Sequence, residues 1–196
     1  MRFESFAAKP IEISQSSHLK KPEIPINESE RLNALNEYRI LGTKPEENYD
    51  DITKIASLTC GAPIALLSLV DSNRQWFKAK VGIEAEETVR DWSFCAHAIH
   101  SSEPLIVEDA LKDERFFDNP LVRGEPKIRL YAGFPLQNDK NLRIGTLCVI
   151  DREPHGLTDT QFSIMESLSR QAVAFLELRK RSINLIESFC SHTDAD

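Results

Sequence analysis

The chain has 196 residues, 41% hydrophobic and 28% charged, which is enough apolar material for one two-layered core with tails. Its 31 acidic residues outweigh 24 basic ones for a net charge of −7, and no Lys/Arg stripe offsets them, which argues against nucleic-acid binding. No apolar run approaches the ~18 residues of a membrane span and residues 1–10 lack the apolar stretch of a signal peptide, so a cytoplasmic protein with no membrane partner is expected.

Residues 1–26 hold Pro10, Pro22 and Pro25 without periodicity and are expected to form a flexible leader. Asn27 and Glu30 have the spacing of a capping box, opening a helix through Leu32, Leu35 and Leu41 that stops at Gly42. Pro45 suits a first helical turn, and Tyr49, Ile52, Ile55, Ala56 and Thr59 recur at helical spacing as far as Gly61. Residues 64–70 (IALLSLV) are apolar on both alternating sets, as in a central strand covered on both faces. Residues 71–74 (DSNR) signal a turn into a strand at 75–81, with Phe77, Ala79 and Val81 on one face.

Residues 91–100 (DWSFCAHAIH) gather a cysteine, two histidines and a carboxylate, with Ser93 placed to cap a short helix. A short strand follows at 105–107, and residues 115–122 supply aromatic and aliphatic groups able to cover a cavity. Residues 128–136 alternate, with Ile128, Leu130, Ala132 and Phe134 on one face and Arg129, Tyr131 and Gly133 on the other. The polar turn 138–141 (NDKN) leads into another strand, at 143–151, expected to be buried on both faces. Thr158 and Gln161 form a second capping box, starting a helix that runs to about Cys190.

This order of elements implies an α+β domain with antiparallel hairpins, not a doubly wound sheet. In the last helix, Phe162, Met165, Leu168, Ala172, Phe175, Leu176, Ile183 and Ile186 recur every three or four residues, continuing past Lys180. A helical bundle with a second copy of the chain is therefore expected, with 27–181 as the domain and 182–196 as a helix extension and polar tail. Cys60, Cys95, Cys148 and Cys190 lie far apart and are expected as thiols, Cys60 and Cys148 buried in apolar segments.

Seven segments in this order and spacing resemble a GAF domain: 64–71 (IALLSLVD), 74–78 (RQWFK), 93–99 (SFCAHAI), 105–110 (LIVEDA), 113–122 (DERFFDNPLV), 131–136 (YAGFPL) and 144–151 (IGTLCVID). The resemblance is closest to GAF domains ahead of bacterial histidine kinases and diguanylate cyclases, although no such output module follows in this sequence. It implies a central antiparallel sheet with the terminal helices on one face, where they often pair in dimers. On the other face a short helix and loops enclose a pocket for a small ligand. The expected function is a non-catalytic sensor that binds such a ligand or passes a conformational signal through a helical homodimer to a partner protein.

The cluster at 91–100 supports three chemistries. As a metal site it lacks ligands: Cys95 and His97, two positions apart on a helix, point to nearly opposite sides, and no partner pair joins His97 and His100. No metal is expected. As a nucleophile, Cys95 sits in a first helical turn, where the dipole favours thiolate. The GAF branch that reduces free methionine sulfoxide makes a thiol enzyme or redox sensor the alternative, but it uses closely placed cysteines that this sequence does not show. As a pocket floor, the helix start and an aromatic lining from Trp76 or Phe77, Phe94, Phe116, Phe117 and Tyr131 would hold a ligand, with Arg129 and His97 orienting it. The same side chains also suit a filled core. Phytochrome-like GAF domains anchor a bilin through cysteine directly followed by histidine; here Ala96 intervenes, so no covalent bilin is expected and the cofactor stays unassigned. Asp71, Asp109, Asp113 and Asp151 are expected to fix turns through hydrogen bonds to backbone.

Overall fold

The computed structural model describes residues 19–193. Its helices are α1 (Glu28–Glu37), α2 (Glu47–Cys60), α3 (Phe94–Ala98), α4 (Pro120–Arg123) and α5 (Asp159–Thr193). Its strands are β1 (Ile64–Val70), β2 (Arg74–Val81), β3 (Glu87–Val89), β4 (Leu105–Val107), β5 (Leu130–Gln137) and β6 (Arg143–Asp151). The strands form one antiparallel sheet in the order β3-β2-β1-β6-β5-β4, the expected α+β architecture. The central strands β1 and β6 are buried on both faces, because each face carries its own apolar layer.

Ala65, Leu67 and Leu69 of β1, Ala132, Phe134 and Leu136 of β5, and Leu147 and Val149 of β6 face the terminal helices. There they meet Leu35 and Tyr38 at α1, Ile52 and Ala56 of α2, and Met165, Ala172 and Leu176 of α5. The alternate residues Ile64, Leu66 and Val70 of β1, Tyr131 of β5, and Cys148 and Ile150 of β6 face a second layer built on α3.

Local chemistry sets most boundaries. Gly61 ends α2 in the left-handed region (φ 64°), which glycine adopts without strain. Thr158 and Gln161 form the expected reciprocal cap of α5, the Gln161 amide donating to Thr158 Oγ1 (3.3 Å) and the Thr158 amide to Gln161 Oε1 (2.9 Å). The Asn138 side chain accepts from the Lys140 and Leu142 amides (3.0 and 2.8 Å), turning β5 into β6. Asp71, Asp109, Asp113 and Asp151 each accept a backbone N–H within their turns, as expected.

Four expectations are corrected. Asn27 occupies the cap position of α1 without a side-chain cap bond, because Glu28 in the first turn and the buried Arg31 anchor this end instead; α1 ends at Glu37, well before Gly42. Phe77, Ala79 and Val81 do not share a face: Leu67 pairs with Ala79 but Ser68 with Phe77, so Lys78 is an extra bulged residue that reverses the alternation. Ile128 precedes β5 and packs beside Tyr131, not with Ala132 and Phe134. The strand β3 and the helix α4 are additions too short to give a periodic signal. Of the expected leader, residues 1–18 lie outside the described residues, while the stretch from 19 to 26 passes α3. Residues 194–196 of the expected tail are likewise outside them.

Candidate functional site

The second apolar layer is not filled. Between the sheet, α3 and the loop after β2 lies a cavity of about 520 Å³, within the ~300–1,000 Å³ common for small-molecule sites. Ile64 and Leu66 of β1 and Ile150 of β6 line its sheet side, with Phe77, Ile83, Leu121 and Ile128 around it. Gly82, at φ 78°, turns the chain so that the loop after β2 contributes Ile83, Glu84 and Ala85. An added Cβ there would meet the Pro63 carbonyl at 2.0 Å, so both conformation and contact require glycine. Gln75, Thr88, Glu84, Glu125 and Arg152 supply polar groups, and the Thr88 hydroxyl is buried with no hydrogen-bond partner among the described residues.

The floor is the short helix α3. Ser93 caps it as expected, accepting from the Ala96 amide (2.9 Å) and donating to the Gln75 side-chain oxygen. This cap directs Phe94 and Cys95 toward the sheet. Phe94 stacks on Phe116 (3.9 Å between centroids, 12° between planes) and tilts against Tyr131 (5.0 Å). The Tyr131 hydroxyl donates to Cys95 Sγ (3.3 Å), and its ring fits because residue 133 is glycine: a Cβ there would lie 2.1 Å from that oxygen.

Phe77, Phe94, Cys95 and Tyr131 of the expected site line the cavity. The other five lie elsewhere. Trp76 pairs with Leu69 and belongs to the helix-side core. Phe116 is fully buried behind Phe94, and Phe117 is half-buried outside the cavity lining. Arg129 donates to the Val122 and Ile128 carbonyls (3.1 and 2.8 Å), holding the α4 loop against the sheet. His97 faces away, packing edge-on against Phe116 with Nε2 3.2 Å from the Lys20 carbonyl. Burial holds its pKa down to about 4, so the neutral ring donates that hydrogen bond.

His100 Nε2 makes a similar contact with the Glu23 carbonyl (2.9 Å), so both histidines face residues 20–23 instead of a ligand. Among the described residues no group of three or more His, Cys, Asp or Glu side chains is placed to hold a metal ion. No described helix is long and apolar enough to cross a membrane.

The family model for the GAF domain matches residues 44–176. The chain is 40% identical over 167 residues to a cyclic di-GMP phosphodiesterase of Pseudomonas aeruginosa, an alignment covering 85% of this chain and 28% of that protein. The chain thus corresponds to a little over a quarter of that relative's length. Among solved structures, it resembles the GAF domain of an Acinetobacter phosphoenolpyruvate-protein phosphotransferase (TM-score 0.57, 18% identity, 76% of this chain and 93% of that one). It also resembles the blue-light-absorbing form of the Thermosynechococcus elongatus PixJ GAF domain (TM-score 0.55, 15% identity, 84% and 98%). At these identities the structural likeness concerns the fold.

Proposed function

The chain belongs to the GAF domain family, and on that premise we propose that it is a non-catalytic sensory module that holds a small, largely apolar ligand in the cavity and passes its state to a partner through paired terminal helices. The cavity carries this reading. It is roomy, its walls are aliphatic and aromatic, and Thr88 offers an unpartnered hydroxyl. Burying apolar ligand surface against these walls gains roughly 25 cal/mol per Å² before the entropy costs of binding. Arg152, Glu84 and Glu125 would orient a polar end.

The phosphodiesterase activity named for the Pseudomonas relative belongs to a protein of which this chain matches only part, and we assign the chain the sensing role, not that activity.

Replacing Leu66, at the sheet side of the cavity, with tryptophan tests this site. The indole should occupy the volume and weaken binding of the aromatic fluorophore 8-anilinonaphthalene-1-sulfonate by about tenfold or more, a change of about 1.4 kcal/mol. Mass spectrometry of gently denatured wild-type protein should also detect a co-purified small molecule that Leu66→Trp lacks. Unchanged dye affinity in a folded Leu66→Trp protein would overturn the cavity as the binding site.

The proposed dimer rests on α5. Its 35 residues extend about 50 Å, and beyond Leu176 the apolar residues Leu178, Leu185, Ile186 and Phe189 are exposed. Leu178, Ser182, Leu185 and Phe189 fall at alternating steps of four, three and four, the spacing of a two-helix seam. A second copy of the same stripe is the complementary occupant. Truncation after Lys180 should therefore shift the sedimentation profile toward monomer; a profile unaffected by truncation excludes the tail from the interface.

A further inference from the structure

A pair of thiols meets at the cavity floor, one bordering the cavity and one behind it. Cys95, in the first turn of α3, and Cys148, on β6, are 53 positions apart in sequence, yet their sulfurs lie 4.0 Å apart and both side chains are buried. A disulfide needs about 2.05 Å between sulfurs, so closing the pair requires an approach of roughly 2 Å. The element that would move is the five-residue α3. Cys95 borders the cavity, whereas Cys148 does not. One sulfur thus faces the route that a small molecule would take, and the other stands behind it.

The surroundings are polar in an otherwise apolar layer. Ser68 and Thr146 pair across β1 and β6 on the same sheet face as Cys148. Their hydroxyls are buried and reach no hydrogen-bond partner among the described residues, and Tyr131 donates to Cys95. Unpaired buried hydroxyls cost free energy, which a sulfur bearing negative charge or oxygen nearby would offset. Burial raises the Cys95 thiol, but hydrogen bonding with Cys148 and with the Tyr131 hydroxyl turns the net shift downward. Cys148 is pushed well up by its hydrogen bond with Cys95 and by burial. Cys95, which borders the cavity and accepts from Tyr131, is placed as the attacking member, with Cys148 behind it as its partner.

We propose that Cys95 and Cys148 are a two-electron redox pair, oxidised to a disulfide by a hydroperoxide that enters the cavity. The Cys95 thiolate attacks the terminal peroxide oxygen. An S–O bond forms, the O–O bond breaks, and the remaining oxygen leaves with a proton as water or alcohol, giving a sulfenic acid. The Cys148 sulfur then attacks Cys95: the S–S bond forms, the S–O bond breaks, and the hydroxyl departs as water with the Cys148 proton. Two thiols and one hydroperoxide become one disulfide, one alcohol or water, and one water. Thiol–disulfide exchange reverses the change. The bridge draws α3 onto β6 and reshapes the cavity floor.

Full-length protein carrying Cys190→Ser, which removes the exposed thiol able to link chains, should be treated with hydrogen peroxide and mapped by peptide mass spectrometry without reduction. The expected result is loss of two thiols and about 2 Da per chain, with one cross-linked peptide joining Cys95 to Cys148, reversed by dithiothreitol. Adding Cys148→Ser should stop the reaction at a Cys95 sulfenic acid that dimedone traps. If peroxide leaves both cysteines reduced, or carries Cys95 to sulfinic acid without the cross-link, the proposal is overturned. The peptide map decides this without the second variant, should that protein not fold. It also reads nothing from dye or ligand binding, so its failure is distinct from failure of the cavity as a ligand site.

Discussion

Replacing Arg31 with alanine should lower the unfolding free energy by about 3–5 kcal/mol, the range for removing one partner of a buried ion pair. Arg31 is 1% exposed, although it lies on a helix of 10 residues near the chain start. Its guanidinium forms two hydrogen bonds to Glu28 (2.7 Å each) and donates to the Val70 carbonyl (2.6 Å). Glu28 also accepts from Arg90 (2.5 Å), which in turn binds the Asp71 carbonyl (2.9 Å). One carboxylate and two guanidiniums thereby tie α1 to the β1–β2 turn and to the entry of α3. Alanine leaves Glu28 short of one cation and the Val70 carbonyl without its donor.

The effect carries a pH signature. Burial alone raises the Glu28 pKa, but its hydrogen bonds and charge pairing with Arg31 and Arg90 hold it down to about 2, from an ordinary 4.5. A carboxylate depressed on folding stabilises fully above its unfolded value and loses that contribution as pH falls through the folded one. The gap between wild type and Arg31→Ala, measured by urea unfolding, should therefore be constant above about pH 5 and shrink between about pH 4.5 and 2. A gap below about 1 kcal/mol at pH 7 would show the triad to be a surface-like pair of little consequence.

Phe94→Ala should be comparably severe, at about 3–5 kcal/mol, and should also damage the site. The ring is 3% exposed, stacks on Phe116, leans on Tyr131 and forms part of the cavity wall. Its loss joins new empty volume to the existing cavity and frees Tyr131 from its place over Cys95. Calorimetry should show Tm lower by at least about 6 °C. Phe94→Leu keeps most of the packing and should recover much of the loss. If Phe94→Ala unfolds within about 1 °C of wild type, α3 is not held by aromatic packing.

Much of the architecture could be read along the chain because its causes are local. The spans of β1, β4 and β6 were set by their apolar runs, the start of α5 by the Thr158–Gln161 cap, and the end of α2 by Gly61. The site was less legible for a reason of parity. A strand apolar on both faces does not disclose which face meets the helices and which meets a cavity, so the pattern of β1 does not single out Ile64 and Leu66 as lining. The bulge at Lys78 reverses the alternation along β2, which puts Phe77 on the cavity side and Trp76 in the helix-side core. Phe116, Phe117, Arg129 and His97 were plausible pocket residues by type, but loop packing turned them toward α3, the α4 loop and residue 20. Gly82, at the head of the cavity loop, was a signal within reach, since its left-handed turn points residues 83–85 inward.

The sequence by itself determined the order of the longer elements, the α+β class, the caps of α3 and α5, the turns, and the family, because hydrophobic period, capping chemistry and motif spacing act within a few residues of one another. Only the tertiary structure decided that the central cluster is a cavity floor whose histidines face outward. It alone placed Cys148 beside Cys95, two thiols whose distance along the chain had spoken against any partnership. Sheet register decides such neighbours, since the pairing of β1 with β6, and of β6 with β5, fixes which face Cys148 occupies beneath α3.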